Sequence, residues 1–206
     1  MSLLSRLRVA WQAYKTRRKM QRQFGRRQDP FGYGSAPYET ARLDAMEAAL
    51  PRRLESVLEC GCAEGHFTAR LAERAGRVTS VDISTTALGR AKARAPQARY
   101  EEADLLVWEP GEDGPYDAVV LGDVLYYLDR PGVAAEFAAF FGRAASWVRP
   151  GGRLILAHGF AGPREEAHRR SFRERFEAAG LRLESESVLG AERGGVRCLL
   201  SVLARP

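Results

Sequence analysis

The stretch Val57-Leu58-Glu59-Cys60-Gly61-Cys62-Ala63-Glu64-Gly65-His66-Phe67-Thr68 decides how the rest of the chain is read. Apolar Val57 and Leu58 run into an acid, two glycines four apart follow, and Phe67 to Ala75 then reads as a helix. That is a buried strand, a tight turn where the backbone comes close to something, and a helix whose N-terminus faces it. Gly61 and Gly65 lack a Cβ, so a ligand can lie directly on the main chain there. A glycine pair alone suits any strand-turn-helix connection. The sequel separates the two readings, because Thr79-Ser80-Val81-Asp82 ends a second strand with a carboxylate 17 residues after Gly65. A ribose-binding acid sits about there in a βαβ nucleotide unit.

Working outward, strands are expected at 56–60, 78–83, 98–102, 116–121, 152–158, 181–188 and 196–204, with helices at 66–75, 85–94, 131–148 and 164–179. Such alternation specifies an α/β fold, a doubly wound, seven-stranded, mostly parallel sheet. The last two strands, joined by a short turn from Gly190 to Gly195, form a C-terminal antiparallel hairpin. Ligands in such sheets bind beyond the carboxyl ends of the strands. There the sequence places Glu59, Gly61, Cys62, Ala63 and Gly65, then Asp82, Ile83 and Ser84, then Asp104 and Leu105. Asp123, Tyr126, Tyr127 and His158 follow at the later strands. Four carboxylates on one rim (Glu59, Asp82, Asp104, Asp123) would repel one another unless a cationic or hydroxyl-rich ligand lay among them. A pyrophosphate would be a poor guest.

The chain of 206 residues is long enough for one domain with a real core. An apolar content of 45% with 28% charged residues fits a globular protein of the cytoplasm. Cys60, Cys62 and Cys198 form neither a paired framework nor a metal spacing. No apolar run reaches membrane-spanning length, and Arg6 and Arg8 stand where a signal peptide needs its apolar centre. The net charge of +6 is local: residues 1–28 hold nine of the 32 basic residues and no acid, leaving 23 basic against 26 acidic residues elsewhere. Leu3, Leu7, Trp11 and Tyr14 recur at helical spacing, so residues 1–28 read as a basic helical arm. It suits a solvated extension, a surface for an anionic membrane or acidic partner at the inner membrane face, or, least well, nucleic acid. Deleting residues 1–28 is expected to abolish binding to anionic vesicles and leave cofactor affinity unchanged. Residues 29–51 follow as an aromatic loop (Phe31, Tyr33, Tyr38) and a helix that Pro51 stops, read as a lid. Residues 52–206 form the main domain.

The glycine pattern is E-x-G-x-A-x-G, not the G-x-G-x-x-G of dinucleotide proteins, and neither a Tyr-x-x-x-Lys pair nor a P-loop is present. The set of Leu58 to Gly65, Val81-Asp82-Ile83-Ser84, Ala103-Asp104-Leu105, Tyr116 to Val120 and Val148 to Leu154 resembles class I S-adenosylmethionine-dependent methyltransferases, across roughly residues 50–205. Ala63 stands where that family usually has glycine. Asp29-Pro30-Phe31, Tyr38-Glu39 and Val124 to Leu128 further resemble the nodulation-type N-methyltransferases, which methylate the free amine of a deacetylated chitooligosaccharide. The resemblance implies a Rossmann-like methyltransferase fold and S-adenosylmethionine as cofactor. It implies that Gly61, Cys62, Ala63 and Gly65 carry the methionine part on the loop, and that Glu59 orients the loop or reaches the amino group. Asp82 would take both ribose hydroxyls, and Asp104 would accept from the adenine amine between Ile83 and Leu105. Ser84 and Tyr38 complete the cofactor set.

Asp123 and His158 are the candidate bases, with Tyr126 beside them. The absence of a [DNS]-P-P-[YF] loop and the −3 balance outside the arm argue against a nucleic-acid acceptor. An N- or O-methyltransferase of a small polar acceptor, an amino sugar or glycoconjugate, is therefore expected. The alternatives are a non-catalytic cofactor- or partner-binding module of the same fold, or an enzyme for a nucleic-acid or lipid-linked substrate recruited by the arm.

Overall fold

The computed structural model describes residues 3–190 and 195–206. Strands β1 (Leu54–Cys60), β2 (Ala75–Asp82), β3 (Arg99–Glu102), β4 (Tyr116–Gly122) and β5 (Val148–Phe160) run parallel. β6 (Arg182–Leu189) and β7 (Arg197–Ala204) form the antiparallel hairpin, β7 pairing with β5. The single sheet has the order β3-β2-β1-β4-β5-β7-β6, the doubly wound architecture expected. Residues 191–194 of the hairpin turn lie outside the described residues.

Strand periodicity divides the core in two. Leu58, Cys60, Val119, Leu121, Leu154 and Leu156 face one layer. It is closed by the phenylalanines of α6 (Ala134–Ser146) and α7 (Pro163–Ala178). Their neighbours Val57, Ala118, Val120, Ile155 and Ala157 face the other. Leu43 and Met46 of α2 (Pro37–Ala48) and Phe67 and Leu71 of α3 (His66–Ala72) close that side. The central strands are buried on both faces, which is why β4 and the second half of β5 are mostly apolar.

Several boundaries differ from expectation. The helix after β1 stops at Ala72 because Ala75 already pairs with Leu54, so α3 is shorter than 66–75. Pro131 opens a 3₁₀ turn, and α6 therefore starts at Ala134. β5 begins at Val148, with a register shift that absorbs the Pro150-Gly151-Gly152 bend. α4 spans Thr85–Arg94 as read from the sequence.

The basic arm is a helix, α1 (Leu3–Arg26), and it is not a solvated extension. Val9, Met20 and Phe24 are buried. Gln21 accepts hydrogen bonds from the Ser84 hydroxyl at 3.1 Å and the Thr86 amide at 3.1 Å, tying α1 to the start of α4. Apolar contact every third or fourth residue docks one face of α1, which a pattern of exposed charges conceals in sequence. Among the described residues no helix is long and apolar enough to cross a membrane.

Candidate functional site

β1 and β4 are neighbours whose chain connections leave in opposite directions, and the crevice opens beyond their carboxyl ends. Gly61 sits there at φ +80°, and a Cβ on it would meet Val124 at 3.1 Å. The turn is pinned by the Gly61 amide donating to the Val81 carbonyl at 2.7 Å. Asp82 supports it from the next strand: Oδ2 accepts from the Ala63 amide at 2.9 Å and Oδ1 from the Ser84 amide at 2.8 Å. Each oxygen keeps a second lone pair, and Asp82 lines a cavity with Gly61, Ala63, Ile83, Asp104 and Leu105. Burial raises the Asp82 pKa while backbone donors oppose the shift.

Asp104 lies further along the same cavity. Its Oδ1 accepts from the Leu106 amide at 3.1 Å, whereas its buried Oδ2 has no partner among the described residues. A buried acceptor aimed into a cavity leaves a hydrogen bond for a ligand donor to make, since an unsatisfied group costs about 1–3 kcal/mol.

The four-carboxylate rim is not what forms. Glu59 turns away from this cavity, its Oε2 accepting from the Thr68 hydroxyl at 2.5 Å and the Ser80 hydroxyl at 3.0 Å. It anchors the loop from beneath, and burial lifts its pKa to about 7. Asp123 is neutralised by Arg42, which the sequence reading missed: Arg42 Nη1 lies 2.9 Å from Asp123 Oδ2 and Nε 2.8 Å from Glu39 Oε2. Arg42 is only 3% exposed and stands over the Tyr33 ring at 5.4 Å. An i,i+3 Glu–Arg pair on α2 was visible in sequence, but such pairs usually face solvent. Only Asp82 and Asp104 face the cavity without an ion-pair partner among the described residues.

Other placements differ from the expected set. Gly65, at φ +76°, is packed rather than open, because a Cβ would lie 2.9 Å from the Ala91 backbone in α4. Its constraint is helix packing. Ser84 is buried as the N-cap of α4, its hydroxyl accepting from Ala87 at 3.3 Å. Cys62 is buried beside the loop, outside the main cavity. Tyr38 packs against the second core and stays outside the main cavity, with its hydroxyl unpartnered among the described residues. His158 is a core histidine: it is 2% exposed, Nε2 accepts from the Leu125 amide at 3.4 Å, and burial lowers its pKa to about 3. It does not reach the cavity and offers no base there.

Asp123 and Tyr126 do line the cavity, with Glu39, Tyr33 and Tyr127. Asp123 adopts φ +50°, and its Oδ1 accepts from the Gly159 amide at 2.7 Å. Its other oxygen lies on Arg42, so both Asp123 oxygens are engaged. Tyr126 follows Asp123 on the short helix α5 (Leu125–Leu128), where the Arg169 guanidinium stacks 4.5 Å from its ring. Burial raises the Glu39 pKa as well, against the pull of Arg42. Phe31 and Tyr33 of the aromatic loop form another wall, and Gln12, Thr16, Met20 and Phe24 of α1 complete it. Residues 1–28 therefore supply part of the cavity wall.

A histidine–carboxylate cluster also forms. The ligand atoms of Asp29, Glu64 and His66 lie within 4.8 Å of one another. Their oxygens are already engaged: Asp29 accepts from the Tyr33 and Gly34 amides, and Glu64 accepts from the Asp29 amide and pairs with Arg90. The cluster fastens the aromatic loop to the start of α3.

Residues 57–152 match the family described as a methyltransferase domain. An uncharacterized methyltransferase of Mycobacterium tuberculosis is 37% identical over 118 residues, 56% of this chain and 55% of that protein. Nodulation protein S of Azorhizobium caulinodans is 35% identical over 102 residues, 48% of this chain and 49% of its own length. The chain thus spans about half the length of the curated relatives it matches. The crystal structure of N-methyltransferase NodS from Bradyrhizobium japonicum with S-adenosyl-L-homocysteine superposes with a TM-score of 0.78 at 23% identity, covering 93% of this chain and 98% of that one. At that identity the likeness speaks to the fold.

Proposed function

We propose that this chain, whose residues 57–152 match a methyltransferase domain, is a class I S-adenosylmethionine-dependent methyltransferase similar to the nodulation-type group, and that it methylates a nitrogen or oxygen of a small polar acceptor, an amino sugar or glycoconjugate. The observation that carries the reading is the pair of carboxylates without an ion-pair partner among the described residues, Asp82 and Asp104, in one cavity beside the Gly61–Ala63 backbone. Their chemistry fits the cofactor: two vicinal hydroxyls for Asp82, an exocyclic amine for the orphaned oxygen of Asp104, and an apolar slot between Ile83 and Leu105. When bound, the cofactor supplies a methyl group on a sulfonium, already attached to a good leaving group.

The protein's own work is then alignment and proton handling. Asp82 and Asp104 fix the nucleoside end, so the reactive end falls toward Asp123, Tyr126 and Glu39 across the crevice. Holding two reactants in line is worth roughly 7–11 kcal/mol. Phe24, Phe31 and Tyr33 exclude water from that space. Glu39 is the residue placed to take an acceptor proton, since burial makes its carboxylate a stronger base than a solvated one. Asp123 holds Arg42, and Arg42 in turn holds Glu39. Tyr126, its ring fixed by Arg169, presents a hydroxyl and a π-face suited to a sugar or an amine.

Turnover on a panel of amino sugars and phenols tests the proposal. Glu39→Gln should lower kcat by about 10²-fold or more, as loss of a general base does, with S-adenosylhomocysteine affinity unchanged. Full activity of that variant removes Glu39 from the chemistry.

A further inference from the structure

Docking one face of α1 leaves the opposite face in solvent, and that face is unusual. Five of the eight exposed large apolar side chains among the described residues are Leu3, Leu4, Leu7, Trp11 and Tyr14, all on α1. Leu3 and Trp11 are 74% and 61% exposed. At about 100° per residue, Leu4, Leu7, Trp11, Arg18 and Arg22 fall within roughly 60° of one another, opposite Val9, Thr16 and Met20. The outer face is therefore apolar along its first half and basic along its second. Trp11 and Tyr14 stack with ring centroids 5.6 Å apart, presenting a flat aromatic patch. Among the described residues Lys15, Arg18, Arg22 and Arg26 have no acidic partner, whereas Arg17, turned inward, pairs with Glu102 at 2.9 Å.

We propose that this outer face of α1 seats on an anionic lipid bilayer while its inner face remains the wall of the cavity. A bilayer surface takes both halves: Leu4, Leu7 and Trp11 enter the acyl boundary, and the basic half meets phosphate headgroups. Two other occupants fit less well. A second copy of the chain would bring two basic faces together without any acid to meet them. Nucleic acid would meet the charges but leave Leu3, Leu4 and Leu7 with nothing apolar to enter. The rest of the chain, with 23 basic and 26 acidic residues, is weakly repelled by the same surface, so the helix alone faces it. The inference is independent of the acceptor, and it brings the methyl-transfer site to where lipid-linked glycoconjugates are found.

The full-length protein should float with vesicles of phosphatidylglycerol and phosphatidylcholine but not with phosphatidylcholine alone, and added salt should weaken it. Trp11 emission should shift to the blue, a change missing in Trp11→Phe although Trp108 and Trp147 remain. Reversing Arg18→Glu with Arg22→Glu should cut partitioning about tenfold or more, and Leu7→Ser with Trp11→Ser should abolish it. Both variants should keep the wild-type melting midpoint and S-adenosylhomocysteine affinity, which separates this proposal from the cofactor reading. No flotation of wild type, or flotation of both variants like wild type, would overturn it. So would a dimer lost in Leu7→Ser/Trp11→Ser without vesicle binding, or tighter binding to duplex DNA than to the anionic vesicles.

Discussion

Two buried side chains, Glu59 and His158, give the fold opposing pH dependences. Glu59 ends a buried strand in the sequence, yet only the fold shows that it looks inward to Thr68 and Ser80. His158 ends another and is likewise a core residue. Their titrations oppose each other. The folded state holds the Glu59 proton up to about pH 7, above its usual range, so Glu59 lowers stability as pH rises through that window. His158 stays neutral down to about pH 3, so the unfolded chain takes up a proton first as pH falls below its usual pKa, and stability drops on acidification. Each contributes up to about 1.4 kcal/mol per pH unit, and between about pH 5 and 6 the two largely cancel. Urea unfolding should therefore show Glu59→Gln losing stability on acidification from pH 6.5 to 5 more steeply than wild type, with the difference between the two proteins levelling off above about pH 7. Identical pH profiles would mean that Glu59 titrates normally. Arg42→Met strands Asp123 and Glu39 without their buried cation, and should cost roughly 3–5 kcal/mol in the same measurement.

At the level of elements, the sequence located nearly every strand and helix of the sheet domain, because buried parallel strands advertise themselves as apolar runs. It misjudged two contacts between elements. Gly65 was read as space for a ligand, whereas the space is filled by Ala91 of α4. Glycine signals only that a Cβ is unwelcome and does not say what would clash with it. Gly65→Ala, strained by its positive φ and by that contact, should lower stability by about 2–4 kcal/mol, with ligand affinity in the surviving folded protein nearly unchanged. α1 was the other case: its eight basic residues hid a docked face that contributes Thr16, Met20 and Phe24 to the cavity. Truncation to residue 29 should accordingly weaken S-adenosylhomocysteine binding by about tenfold or more, the loss of one or two well-buried contacts. Calorimetry on the truncated protein checks this, and unchanged affinity would show that α1 is a bystander.

Taken whole, the molecule is a mostly parallel sheet whose crevice is closed over by the helix α1 and an aromatic loop. Asp82 and Asp104 were readable in sequence because strand ends and their spacing fix which residues meet at a switch point. On the opposite side Asp123 and Tyr126 were readable too, but Glu39 and Arg42 were not, because they join Asp123 only through the docking of α2 against the sheet. The central claim is that Asp82 grips the ribose of S-adenosylmethionine. Isothermal calorimetry with S-adenosylhomocysteine, on wild type and Asp82→Asn, tests it most directly. An asparagine keeps one acceptor oxygen and turns an amide against either the Ala63 or the Ser84 N–H, while losing the charge that the hydroxyls meet. The expected result is a clear exothermic titration for wild type and an affinity lower by about tenfold to a hundredfold for the variant, as removal of charged hydrogen bonds gives. No heat from wild type, or equal affinity in the two proteins, would contradict the account.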